Sequence, residues 1–95
     1  MILSEDQIAV RLNAENGWEL VDEKWIVKRY RFRKFLDGVA FVQRVAQTAE
    51  RLNHHPLIAI DYKLITLRLT SWHAGGLTEL DFTAAAEFDR ARFPA

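Results

Sequence analysis

The sequence predicts an α+β fold: a four-stranded antiparallel sheet with three helices packed on one face, in the order α-β-β-α-β-β-α. Three observations predict it. Apolar residues alternate in two closely spaced pairs of runs, 18–32 and 57–72, and strands joined by so few residues have to pair antiparallel. Between the pairs, over 34–52, the apolar spacing changes to three and four residues, the period of a helix face. Ser4 precedes Gln7, and Thr78 precedes Asp81, at the spacing of a capping box, which marks a helix start.

Each element follows from its local pattern. After Ser4, Ile8 and Leu12, with Val10 beside them, give a short apolar stripe that ends near Asn13, and Asn16-Gly17 turns the chain. Trp18 to Val21 reads as a strand, Asp22-Glu23-Lys24 as a hairpin turn, and Trp25 to Phe32 as the returning strand. Ile26, Tyr30 and Phe32 share one face of that strand; Trp25, Val27, Arg29 and Arg31 share the other. Those arginines could hold an anion, but a solvated strand face is the simpler reading. The long helix carries Phe35, Val39, Val42, Ala46 and Ala49 as its stripe, with Leu36, Val45 and Leu52 beside it. Gly38 inside it costs up to about 1 kcal/mol against alanine, so another backbone packing close is expected to favour it. Leu57 to Ile60 reads as a short buried strand, Asp61-Tyr62-Lys63 as a tight reversal or bulge, and Leu64 to Trp72 as a strand with Ile65, Leu67 and Leu69 on one face. Gly75-Gly76 breaks it. Leu80, Ala84, Phe88 and Ala91 form the stripe of the last helix, which Pro94 stops.

Composition narrows the function. The 95 residues suit one domain spanning 1–95, and no linker, repeat or low-complexity stretch interrupts them. Thirteen Lys and Arg balance thirteen Asp and Glu, which lacks the charge excess of a general nucleic-acid binder. The absence of cysteine excludes disulfides, thiolate metal sites and cysteine nucleophiles. No apolar run reaches membrane-spanning length, and the N-terminus meets charge at Glu5 as no signal peptide does, so a cytoplasmic location is expected.

The chemistry concentrates at Glu50-Arg51-Leu52-Asn53-His54-His55-Pro56, where the long helix stops and a β-branched run begins. Histidine gives or takes a proton near neutrality at little cost. Helix C-termini also favour His for simple charge complementarity, and terminal carbonyls there disfavour loss of a proton from an imidazolium. Glu50, Tyr62, Trp72 and Asp81 each have an ordinary explanation alone: solvated helix, turn aromatic, core or dimer contact, and helix cap. A zinc site would have only His54, His55 and His73, and the usual two-histidine helical spacing is missing, so no metal is expected.

Taken together, these positions resemble the pterin-4a-carbinolamine dehydratase family over nearly the whole chain. Tyr30-Arg31-Phe32-Arg33-Lys34-Phe35 looks like that family's aromatic lead into its long helix. Val45-Ala46, Ala49-Glu50 and His54-His55-Pro56 match its central block, and Gly75-Gly76-Leu77-Thr78 with Asp81 matches its close. The resemblance implies loss of water from 4a-hydroxytetrahydropterin to give quinonoid dihydropterin, in tetrahydrobiopterin recycling, with no cofactor. It implies His54, His55 and Asp81 as catalytic residues, and Glu50, Pro56, Tyr62 and Trp72 as substrate-binding residues in one aromatic-walled pocket. It further implies a homodimer or homotetramer, with a small-molecule pterin as partner and neither nucleic acid nor membrane. Trp72 stands where the family usually has a third histidine; it can stack on a pterin but cannot shuttle a proton. Were the strand to persist, its neighbour His73 would face away. Family members also serve as non-enzymatic binding or assembly factors, the competing reading.

Overall fold

The seven elements occur in the expected order. The computed structural model of the protein describes residues 1–15 and 17–93; Asn16 and Pro94, read above as a turn and a helix stop, lie outside them. The elements are α1 (Glu5–Ala14), β1 (Glu19–Val21), β2 (Trp25–Arg31), α2 (Phe35–Leu52), β3 (Leu57–Asp61), β4 (Leu64–Leu69) and α3 (Glu79–Ala91). At α1 the capping box forms: the Gln7 N–H donates to Ser4 Oγ at 3.2 Å and the Ser4 N–H to Gln7 Oε1 at 2.8 Å. Asp22 and Glu23, both at positive φ, carry the first hairpin through a path of the kind that suits strand twist.

The strands form one antiparallel sheet in the order β1-β2-β4-β3. β2 and β4 pair in the centre, Ile26 opposite Leu69 and Tyr30 opposite Ile65. Their inward residues Ile26, Tyr30, Ile65, Leu67 and Leu69 are completely buried, under Phe41 and Val45 of α2 and Ala84 and Phe88 of α3. Asp89 of α3 ties the layers together, accepting from Lys28 Nζ at 2.8 Å, the Tyr30 hydroxyl at 2.5 Å and Trp18 Nε1 at 3.2 Å. Burial, reinforced by Asp89, pushes the Tyr30 hydroxyl pKa well above its usual value, so it stays a donor.

Several local expectations change. α2 buries Gly38, Phe41, Val45 and Ala49, a stripe rotated from the one expected; Phe35 and Ala46 are exposed. Alanine and valine fit either side of a helix, and Phe41 decides which side faces the sheet. Gly38 is favoured by side chains rather than a backbone: an added Cβ would lie 3.3 Å from Ile65 Cδ1 and 3.4 Å from Phe32 Cδ2. In α3, Phe82 is buried and Leu80 is half-exposed, and Val10 of α1 points outward. β4 ends at Leu69, because Ser71 leaves the ladder to bridge Gly76; His73 therefore sits in a turn.

The largest correction concerns β3. Expected buried, it is exposed at every residue. It pairs only with β4 and lies at the sheet edge. Ile58 and Ile60 share the helix side by register, yet the helices leave them 36% and 45% exposed. An apolar run of this length does not distinguish a covered strand from an edge awaiting cover.

Candidate active site

The histidines are placed by the way α2 ends. Asn53 takes the left-handed conformation, its N–H bonds Glu50 O at 3.2 Å, and the His54 N–H bonds Ala49 O at 3.0 Å. This paired pattern closes the helix and satisfies two of its last carbonyls. Those carbonyls are thus taken by backbone, and what the rings meet is carboxylate.

His54 reaches across to α3. Its Nε2 lies 2.6 Å from Asp81 Oδ1, and its side chain is 12% exposed while that of Asp81 is fully buried. An ionised carboxylate only accepts, so against ionised Asp81 the donor of this bond is His54 Nε2. Asp81 Oδ2 is held in turn by the Ser71 hydroxyl at 2.7 Å and the Thr78 N–H at 2.9 Å; Ser71 and Thr78 share a further hydroxyl–hydroxyl bond at 2.8 Å. A buried carboxylate with its acceptor sites filled is fixed in place, and so is the imidazole it holds.

His55 turns the other way. Its Nε2 contacts Glu50 Oε2, one helical turn back, and both side chains are more than half exposed. Pro56 follows and directs the chain into β3.

Comparison with known proteins bears on this arrangement. The family model described as Pterin 4 alpha carbinolamine dehydratase matches residues 1–91. This chain belongs to the pterin-4a-carbinolamine dehydratase family. Relatives from Picosynechococcus and Chloroflexus aurantiacus, which carry the provisional name pterin-4-alpha-carbinolamine dehydratase, are 39% and 45% identical to it. The alignments cover 93% and 92% of this chain and 95% and 92% of those proteins. A crystal structure from Brucella melitensis, described as a transcriptional coactivator/pterin dehydratase, superimposes with a TM-score of 0.93 at 29% identity over 98% of this chain and all of that one. A pterin dehydratase-like protein described as a RuBisCO assembly factor in the alpha-carboxysome shares the fold, with a TM-score of 0.71 at 20% identity over 84% of this chain and 94% of that one.

Within this dehydratase-family chain the predicted site residues fall into three groups. At the α2–β3 junction His54 with Asp81 and His55 with Glu50 form two separate pairs, and Pro56 follows them. Trp72 is two-thirds exposed and meets Trp25 edge to face, with ring centroids 5.0 Å apart; with Ser71 and Thr70 these rings line a cleft of about 160 Å³. Ser71, which lines the cleft, also bonds Asp81, so one residue links the cleft to the His54–Asp81 pair. Tyr62 does not join them within one chain: it sits at the far end of β3, at positive φ, against Phe35 at 6.2 Å. Sequence reading missed Ser71 and Trp25. The capping box named Thr78 and Asp81 but carried no signal for a hydroxyl ten residues before Asp81. Among the described residues, no three His, Asp or Glu side chains converge as a metal site needs, and no helix is long and apolar enough to cross a membrane.

Proposed function

We propose that this chain dehydrates 4a-hydroxytetrahydropterin by acid–base catalysis from His54 and His55, in tetrahydrobiopterin recycling. The observation that carries the reading is the buried His54–Asp81 bond, linked through Ser71 to an aromatic cleft. The reaction needs two proton transfers. A proton goes to the C4a hydroxyl, the C–O bond breaks and water leaves; the adjacent ring nitrogen forms the C=N bond and gives its proton to a base. Two imidazoles within reach of one ring supply both without a cofactor. Asp81, held by Ser71, fixes His54 through Nε2, and Glu50 steadies His55. Trp72, with Trp25, offers a face to the flat pterin, and Pro56 directs the chain from the histidines into β3.

The same reading includes assembly as a homodimer or homotetramer. The open edge of β3, exposed along its length and bearing Leu57, Ile58 and Ile60, is a template for a second copy, and exposed Phe35, Leu36 and Tyr62 extend the apolar surface. Tyr62 would then serve a pocket only across such an interface. Light scattering at micromolar concentration should show an oligomer, and a strict monomer would refute the assembly.

The deciding experiment is a dehydratase assay on purified protein with freshly generated 4a-hydroxytetrahydropterin. Turnover above the spontaneous rate, lost in His54→Ala, is expected. Rates equal to background would instead mark the junction as a protein-binding or assembly surface.

A further inference from the structure

The far end of α2 carries a feature that the dehydratase reading does not use. Where β2 leaves the sheet, α2 begins and α3 ends, a cleft of about 350 Å³ opens, lined by Arg31, Phe32, Arg33, Asp37, Arg44 and Arg92 among others. Its lining reaches along α2 to Arg44, about 15 Å of helix rise short of the histidines.

Its charge is unusual for this chain. The sequence as a whole is neutral. Among the described residues Arg11, Arg51 and Arg90 sit on carboxylates, whereas Arg31, Arg33, Arg44 and Arg92 have none within ion-pair distance. Against four guanidiniums the cleft sets one carboxylate, Asp37, a net of three positive charges. Two of the guanidiniums are held in position by neutral acceptors. Arg44 Nε donates to Ala91 O at 2.6 Å and its Nη2 to Arg92 O at 3.2 Å; Arg92 Nη2 donates to Arg31 O at 2.5 Å and stacks on Phe32 at 4.9 Å. Carbonyls orient these groups without cancelling their charge. Holding α3's end accounts for Arg44 and Arg92, but not for Arg31 and Arg33 gathered at the same opening.

We propose that this cleft binds a small organic anion bearing two adjacent phosphoryl groups. Guanidinium forks match phosphate oxygens in pairs, and prior orientation reduces the ordering cost. One phosphate ester carries about 1.5 to 2 negative charges at neutral pH, so a diphosphate matches the cleft's charge better than a monophosphate does. The cleft volume falls in the range of small-ligand sites. The inference is independent of the chemistry at His54.

Calorimetric titration of the full-length protein with inorganic pyrophosphate, and with orthophosphate as control, tests it. Pyrophosphate should bind saturably and at least about ten-fold tighter than orthophosphate. Arg31→Ala/Arg33→Ala, which removes two exposed guanidiniums that make none of the carbonyl contacts, should weaken it at least about ten-fold. Arg29→Ala/Arg68→Ala removes two arginines of the open sheet face that have no carboxylate partner among the described residues, and should leave affinity within about two-fold. His54→Ala should bind as the parent does. No saturable heat at millimolar pyrophosphate, or equal losses in the two arginine doubles, overturns the proposal.

Discussion

His54 and His55 are neighbours in the chain, and each ring meets a carboxylate, but the two pairs are built differently. His54 joins Asp81, 27 residues away, in a buried bond that a second element holds from behind through Ser71 and Thr78. His55 joins Glu50, five residues away on the same helix end, with both groups in water. The first pair is fixed by the tertiary fold; the second is local and screened by solvent. A buried, hydrogen-bonded pair sets ring orientation and tautomer, whereas an exposed pair mainly adjusts local charge. If both histidines work on one substrate, they do so with unequal freedom.

The contrast is broken most directly at Asp81. Asp81→Ala should cut turnover as deeply as His54→Ala, by about 10²- to 10⁴-fold. It should also destabilise the fold by about 1–3 kcal/mol, because Ser71 and the Thr78 N–H lose a buried acceptor. Thermal unfolding beside single-turnover rates separates the two effects, and a variant with full activity would remove Asp81 from the mechanism. His55→Ala comes next. Turnover should fall by about 10²-fold with Tm unchanged, since its side chain is 54% exposed and anchors nothing behind it. Glu50→Gln should cost only a few-fold, about the loss that raised ionic strength produces in the parent protein, and salt should then have little further effect on the variant. A strong salt response of similar size in Asp81→Asn would mean that the buried pair is not shielded. The smallest change is expected from Trp72→His, which adds an imidazole able to carry a proton; activity should hold or rise, while Trp72→Ala should raise KM through loss of the ring packed on Trp25.

Much of the fold could be read from spacing because each local signal had one structural answer. Two hairpins, a helical period between them and two capping boxes leave little choice of topology. What escaped was relational. The run Leu57–Ile60 looks the same whether a layer covers it or not. The stripe of α2 was misplaced because Val39, Val42 and Ala46 satisfy a helical period nearly as well as Phe41 and Val45 do. In the site, His54, His55 and Asp81 stood out by residue type and family spacing, but no local pattern pairs each ring with its own carboxylate. The left-handed Asn53 ends the helix, and beyond it two consecutive side chains point different ways. Tyr62 belonged to the same motif, yet one chain keeps it at the opposite end of β3.

The strand order also has a consequence in time. β1–β2 and β3–β4 are local hairpins, of a kind that forms in about 1–10 μs. The ladder between β2 and β4 joins Arg31 to Leu64 only after everything from Phe32 to Lys63, including all of α2, has been drawn into a closed loop. That closure is the entropic barrier, and Ile65, paired with Tyr30 and pressed on Gly38, stands where hairpin, helix and central ladder meet. Trimming Ile65 should therefore slow folding, whereas a change in the 22–24 turn, made and lost within its own hairpin, should leave the folding rate nearly as it was.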